Sequence, residues 1–375
     1  MRPATAAAAA LTAVIGAGAA AVAAGRYASD AALKARPGRP LPGDPKLTVH
    51  QADGDRITLT RSLAALRPGT YGLGGDDSHA IVGPVLDGQA PAADAVVRRL
   101  VRVTRGRLEP GAKVRLTPQV HIGNPRDALG LEHADVDIPG ELGGLPAWFV
   151  PGGRDTWVIT AHGLGTTREH PMVVMDLLHR LRLPVLDLAY RGDAGAPRQP
   201  DGLGHLGDSE WRDLDAALRY AVRYGAERVV LYGWSTGATM ALRAANHSAL
   251  RDRVSGLVLD SPVLDWELTL RALAAARHTP APLLPLAVRA AQGRTGRTGD
   301  RVTEAAEAAA LSVPTLLVHG PDDTLAPWRR SRELADRRPD LVSLYAVPEA
   351  PHAAMWNADP KGYEETLRRF LTPLM

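Results

Sequence analysis

The sequence predicts an α/β fold: a mostly parallel, doubly wound sheet, preceded by a small β-rich module and an N-terminal apolar helix. Three observations predict it. From Thr156 onward, apolar strand-like runs alternate with helical stretches. One of these runs, Val229 to Tyr232, ends in Gly233-Trp234-Ser235-Thr236-Gly237 just before the helix formers Thr239 to Ala245. From about Leu47 to Leu131 the texture is instead one of short strands and turns. The chain has 375 residues, enough for one large core plus an accessory module.

Ala4 to Gly25 is an uncharged apolar run preceded only by Arg2, and its length suits a span of ~20 residues. It reads as an uncleaved membrane anchor, as a signal peptide with Ala21 and Ala23 near a cleavage point, or as a buried Ala-rich helix. An anchor makes the protein membrane-bound, whereas a cleaved signal makes it secreted. Arg26, Lys34, Arg36 and Arg39 outnumber Arg2, which favours a cytoplasmic body. A signal-type entry favours export, so the side is left open. Residues 1–30 form this segment, and the Pro- and Gly-rich residues 31–46 form a linker.

Residues 47–130 form the β-rich module. Leu47 to Gln51 and Arg56 to Thr60 flank an Asp53-Gly54 turn and read as a hairpin. Ala80 to Gly83, Val96 to Arg105 and Lys113 to Leu116 are further strands. His79 beside Asp76 and Asp77 could suggest a metal site, but an exposed loop is the plainer reading, and no metal or organic cofactor is implied.

Residues 131–375 form the catalytic body. Asp135 to Pro139 and Pro146 to Val150 read as opening antiparallel strands. Trp157 to Ala161 is a strand ending in His162-Gly163-Leu164, a loop small enough to turn a backbone N–H toward a reacting oxygen. A helix begins near Glu169 or His170, with Pro171 in its first turn. The strand at Leu183 leads into Tyr190-Arg191-Gly192, and Asp208 or Ser209 caps a helix running to about Tyr224. Beyond Ser235 come strands at Gly256 to Asp260, Pro314 to Val318 and Val342 to Val347, then a closing helix from Pro360 to Leu371. Residues 266–300 break this rhythm with prolines and a Gly- and Arg-rich end, which marks a lid insertion with a mobile loop.

G-x-S-x-G between a strand and a helix is the setting of a nucleophile elbow. The residues two before and two after the serine crowd each other, so they must be small, and Gly233 and Gly237 are. The helix behind Ser235 turns free N–H groups toward it and favours an anion there. A serine hydroxyl also needs a base, and an anion to hold that base. His352, after the last strand, is the candidate base. Asp323, after the preceding strand, is the candidate acid, preferred over Asp322, with Asp260 as the alternative. His162 and His319 sit in His-Gly turns at strand ends and read as structural.

These motifs, with Asp260-Ser261-Pro262, His319-Gly320-Pro321-Asp322-Asp323 and Pro351-His352, resemble the α/β-hydrolase superfamily over roughly Leu131 to Leu371. The branch resembled is that of serine hydrolases with an N-terminal membrane anchor, related to serine aminopeptidase-type hydrolases. The resemblance implies Asp323 as the acid and the backbone N–H groups of Leu164 and Thr236 as the oxyanion hole. Trp234 and Tyr190 are the candidate substrate contacts. Ala238 departs mildly from the family, which often has glycine there.

The expected chemistry is cleavage of a carboxylic ester or related acyl bond in a small-molecule or lipid substrate. A peptidase or amidase of the same fold, and a catalytically idle, membrane-tethered binding protein, are the alternatives. With 45% hydrophobic and 23% charged residues the body is an ordinary folded one. A net charge of +3 and no basic block with interleaved aromatics argue against nucleic acid as a partner. The absence of cysteine excludes disulfides and thiolate catalysis.

Overall fold

The computed structural model describes residues 22–30, 32–34, 38, 41, 45–88, 92–295 and 310–375. The expected anchor or signal falls mainly on residues 1–21, outside the described residues. No helix among the described residues is long and apolar enough to cross a membrane. Residues 22–30 form helix α1, and Ala28, Ala32 and Leu33 are buried against the catalytic body. The Gly204 amide donates to the Leu33 carbonyl at 2.6 Å.

The β-rich module is a closed six-stranded barrel. Its strands are β1 (Leu47–Asp53), β2 (Arg56–Thr60), β3 (Tyr71–Gly74), β4 (His79–Val85), β5 (Ala95–Arg105) and β6 (Lys113–Thr117), in the order β1-β2-β5-β4-β3-β6. Closure leaves no free sheet edge. Alternation sends Val49, Ile57, Leu59, Leu73, Val82 and Leu116 into one apolar core. Strand β3 is not among the strands expected from the sequence, because its two glycines hide the pattern. The exposed loop expected at His79 is also corrected. His79 is a buried residue of β4, and its ring Nδ1 lies 2.6 Å from the Thr104 hydroxyl.

A buried arginine shapes one rim of the barrel. Arg98 is fully inaccessible, and its guanidinium donates to the carbonyls of Gly83, Ala65, Arg67 and Gly69 at 2.6–3.0 Å. Burial lowers its pKa to about 10, so it stays charged at neutral pH. It thereby fixes the turn before Thr70, and that turn is where the two modules meet. The Thr70 amide donates to the Asn357 carbonyl at 2.8 Å, and the Asn357 side chain donates to the carbonyls of Thr70 and Pro118. Asn357 lies five residues after His352, so the barrel clamps the loop that carries the candidate base.

The catalytic body is built on a sheet of eight described strands. They are β7 (Ala134–Gly140), β8 (Gly143–Val150), β9 (Thr156–Ala161), β10 (Val185–Leu188), β11 (Arg228–Trp234), β12 (Val254–Asp260), β13 (Thr315–His319) and β14 (Val342–Ala346). The sheet order is β14-β13-β12-β11-β9-β10-β8-β7. The pairings of β8 with β7 and with β10 are antiparallel, and the rest are parallel. After the short helix α2 (Pro125–Leu129), helices α4 (Trp211–Arg223) and α5 (Thr236–His247) cover one face of the sheet, while α3 (Met172–Arg180) and the closing helix (Pro360–Leu371) cover the other. The chain doubles back between β9 and β10 and then continues on the other side of β9, at β11. The crevice at the carboxyl ends of β9 and β11 is therefore the expected ligand site of an open α/β sheet. The lid expectation maps onto α6 (Trp266–Ala276) and α7 (Leu284–Thr295). Most of the expected mobile loop lies outside the described residues.

Candidate active site

Steric crowding sets the elbow. A Cβ on Gly233 would stand 2.1 Å from the Gly237 carbonyl carbon, and one on Gly237 would stand 2.0 Å from the Ala161 carbonyl oxygen. No larger residue fits either place without moving the sheet. Between them Ser235 adopts φ 52° and ψ −114°, a conformation that costs ~1–3 kcal/mol and persists only where packing over-determines it. The Ser235 amide donates to the Asp260 carbonyl at 2.8 Å, which ties the strained corner to β12.

Three sequence-predicted residues converge there. The Ser235 hydroxyl lies 2.6 Å from His352 Nε2, and His352 Nδ1 lies 2.7 Å from Asp323 Oδ2. The carboxylate only accepts, so Nδ1 carries the proton and Nε2 is free to accept from the serine. Asp323 itself is saturated. Its Oδ1 accepts the amides of Leu325 (2.8 Å) and Ala326 (2.9 Å), and its Oδ2 also accepts from His319 Nε2 at 3.0 Å. Burial alone would raise its pKa. The facing His352 and His319 reverse that and hold the carboxyl well below the usual range.

Asp260, the alternative acid, is hydrogen-bonded to other groups. Its carboxyl accepts from the Ser261 hydroxyl at 2.8 Å and from the Tyr363 hydroxyl at 3.0 Å. Ser261 Oγ in turn accepts the Ala353 amide at 3.1 Å, so this chain steadies the His352 loop from behind. Burial raises the Asp260 pKa to about 7. Asp187, also fully buried, is raised to about 7 for the same first reason. A group with a raised folded-state pKa contributes stability below its unfolded value, ~3.9 for Asp, and loses it as pH climbs through about 7. The melting temperature should therefore fall between about pH 4 and 7 by this contribution. Asp260→Asn should flatten one of the two components, worth about 1.4 kcal/mol per unit of displacement, in thermal melts across that range. An unchanged profile would assign the proton elsewhere.

The His162 loop is organised by contacts that the sequence does not reveal. His162 Nε2 lies 2.7 Å from Asp193 Oδ2, and Nδ1 lies 3.0 Å from the Gly163 carbonyl. Both ring nitrogens face oxygen acceptors, an arrangement that favours the charged ring. Burial opposes that charge, and the Asp193 carboxylate more than offsets it, so the His162 pKa is raised. The Gly163 carbonyl also accepts from the Thr166 hydroxyl at 3.1 Å. In a trans peptide the N–H points opposite the C=O. Anchoring the Gly163 carbonyl to His162 and Thr166 thus turns the Leu164 N–H the other way. His162→Gln should reduce kcat by ~10–10² with KM little changed, a part of the ~10²–10³ attached to one oxyanion donor. A KM effect alone would refute the positioning.

Two expected substrate contacts lie elsewhere. Trp234 is fully buried and stacks on Tyr232, with ring centroids 4.1 Å apart, because residues i and i+2 of a strand share a face. Tyr190 is buried too. Its ring stacks on His162 at 4.4 Å, and its hydroxyl donates to the His162 carbonyl. Both pack against neighbouring rings, Trp234 on Tyr232 and Tyr190 on His162. Leu164, in the His162 loop, instead packs into an apolar cluster with Leu33, Leu206, Val263, Trp266, Leu270 and Leu325. Ser235 is itself fully inaccessible.

Similarity to known proteins bears on the fold and the family. A profile of the prolyl oligopeptidase family matches residues 185–372, and one described as a domain of unknown function (DUF8805) matches residues 48–117. The chain is 28% identical to the uncharacterized protein Rv2307c of Mycobacterium tuberculosis over 239 residues, covering 61% of this chain and 75% of that protein. It is 23% identical to the uncharacterized protein YfhR of Escherichia coli over 215 residues, covering 56% and 69%. Among solved structures, Pyrococcus furiosus esterase Pf2001 superposes with a TM-score of 0.55 at 24% identity, over 67% of this chain and 94% of the other. An α/β hydrolase of Vibrio vulnificus gives a TM-score of 0.50 at 19% identity, over 64% and 81%. These two likenesses establish the fold. The family profile spans half of the chain and contains all three converging residues, so this α/β-hydrolase-type enzyme belongs to the prolyl oligopeptidase family.

Proposed function

We propose that the enzyme hydrolyses carboxylic esters with apolar acyl or alcohol groups, through an acyl-enzyme on Ser235. The observation that carries this is the continuous relay from the Ser235 hydroxyl to His352 Nε2 (2.6 Å) and from His352 Nδ1 to Asp323 (2.7 Å). Ser235 Oγ attacks the substrate carbonyl and gives its proton to His352. The amides of Thr236 and Leu164 receive the oxyanion, and His352 then protonates the departing alcohol. Water, deprotonated by His352, attacks the acyl carbon and releases the acid and free Ser235. The apolar cluster that takes in Leu164, beside the elbow, supports an apolar substrate.

A fluorophosphonate probe should label Ser235, and p-nitrophenyl esters should be hydrolysed faster as the acyl chain lengthens from acetate to octanoate. A protein that takes no label would instead be the idle binding body.

The family match favours a second reading, cleavage of an amide or peptide bond. Aminoacyl p-nitroanilides compared with the matching esters separate the two, and a kcat/KM higher for the anilide would overturn the ester assignment. We further infer membrane attachment through residues 4–25, a run of the right length. Recovery of the full chain in the soluble fraction after expression would refute it.

A further inference from the structure

The barrel carries a second feature, apart from the relay. Alternation along β6 turns Val114 and Leu116 into the barrel core and leaves Lys113, Arg115 and Thr117 on its outer face. Arg102 and Arg105 on β5, and Lys46 just before β1, border the same space. Across it stand residues 122–128 and the Gly165–Glu169 stretch of the catalytic body. Between the two modules lies a cleft of about 1020 Å³, the size of a small-molecule site.

Charge in this cleft is unbalanced. Five cations line it against Asp76, Asp127 and Glu169; of these Lys113 donates to the Thr48 hydroxyl at 2.6 Å, Arg102 reaches the Ala128 carbonyl at 3.5 Å, and Arg115 is engaged as well. Two of the carboxylates are already engaged. Glu169 accepts from the Gly123 amide at 2.7 Å, from the Gln119 side chain and from the Thr167 hydroxyl. Asp127 accepts from the Asn124 side chain at 2.8 Å. An excess of one sign of charge in a cleft biases its field toward the opposite ion. Guanidinium forks match the paired oxygens of phosphate and carboxylate. His79 borders the cleft, but burial lowers its pKa and leaves it neutral.

We propose that this cleft is a binding site for a small, soluble, multiply charged anion bearing phosphate or carboxylate groups, and that presenting it is a role of the barrel. Gly165 and Thr167 belong both to the cleft wall and to the loop that carries the Leu164 amide, so an occupant contacts the loop beside Ser235.

The test is thermal melting of the full chain against inorganic phosphate and citrate, with sodium chloride at matched ionic strength. A saturable rise of a few degrees with phosphate or citrate, absent with chloride, is expected. Arg102→Glu/Arg105→Glu should weaken the apparent affinity at least tenfold. Fluorophosphonate labelling of Ser235 in that variant reports that it is folded, and it reads the anion site separately from the ester reading. Should the double variant misfold, Arg105→Gln takes its place with a smaller expected loss. An equal shift with chloride, no shift at all, or an unchanged affinity in a folded variant would each overturn the proposal, leaving the cations as an ordinary solvated face.

Discussion

Ser235→Ala is expected to lower kcat for p-nitrophenyl butyrate by about 10⁴–10⁶-fold, to the level of residual catalysis by binding and oxyanion contacts. The size follows from the relay. Without Oγ there is no atom to attack and no proton for His352 Nε2 to take. Ala keeps the backbone, so the sheet contacts of the corner, including the Ser235 amide to the Asp260 carbonyl, persist. Melting temperature should shift by no more than about a degree or two. Steady-state kinetics and a melt on the same preparation check both halves, and near-wild-type kcat in a folded variant would remove Ser235 from the mechanism.

Asp323→Asn is the second large effect, at about 10⁴-fold in kcat. The introduced amide can turn its NH₂ toward His352 Nδ1, which reverses the polarity of that bond and favours the tautomer with the proton on Nε2. That proton blocks acceptance from the serine. The same amide faces His319 Nε2 and the backbone N–H groups of Leu325 and Ala326, all donors in the native site. One of these four partners must lose its acceptor, so a loss of ~1–3 kcal/mol in stability accompanies the kinetic loss. Asp260→Asn makes the comparison decisive. It should keep most of the activity, because the Asp260 carboxyl hydrogen-bonds Ser261 and Tyr363, while Asp323 bonds His352 Nδ1. If the two variants exchange these phenotypes, the acid is Asp260.

Much of the catalytic body is legible in the sequence because its signals are local. The sheet strands lie on apolar runs or short strand-like stretches of adjoining residues, and the elbow is spelled by five consecutive residues. The helix bounds at α4 shift only slightly, with Glu210 rather than Asp208 or Ser209 preceding it. Even the His319–Asp323 contact spans only four residues. The barrel is read less fully. Its β3 is short and glycine-rich, and closure between β1 and β6 pairs Leu47 with Val114, far apart along the chain.

The chain order of Ser235, Asp323 and His352, the small residues around the serine and the switch from short strands to alternating α/β were set by the sequence alone, because each depends on neighbours along the chain. Only the tertiary structure brought Asp323 to His352 Nδ1, buried Trp234 and Tyr190, joined His162 to Asp193 and set the barrel against the His352 loop. Those outcomes depend on which carboxylate the sheet register brings to a ring nitrogen, and on separations of 29 residues for Asp323 to His352 and 287 for Thr70 to Asn357. Linear spacing carries no information about such meetings, since only the packed sheet defines the distances that hydrogen bonds require.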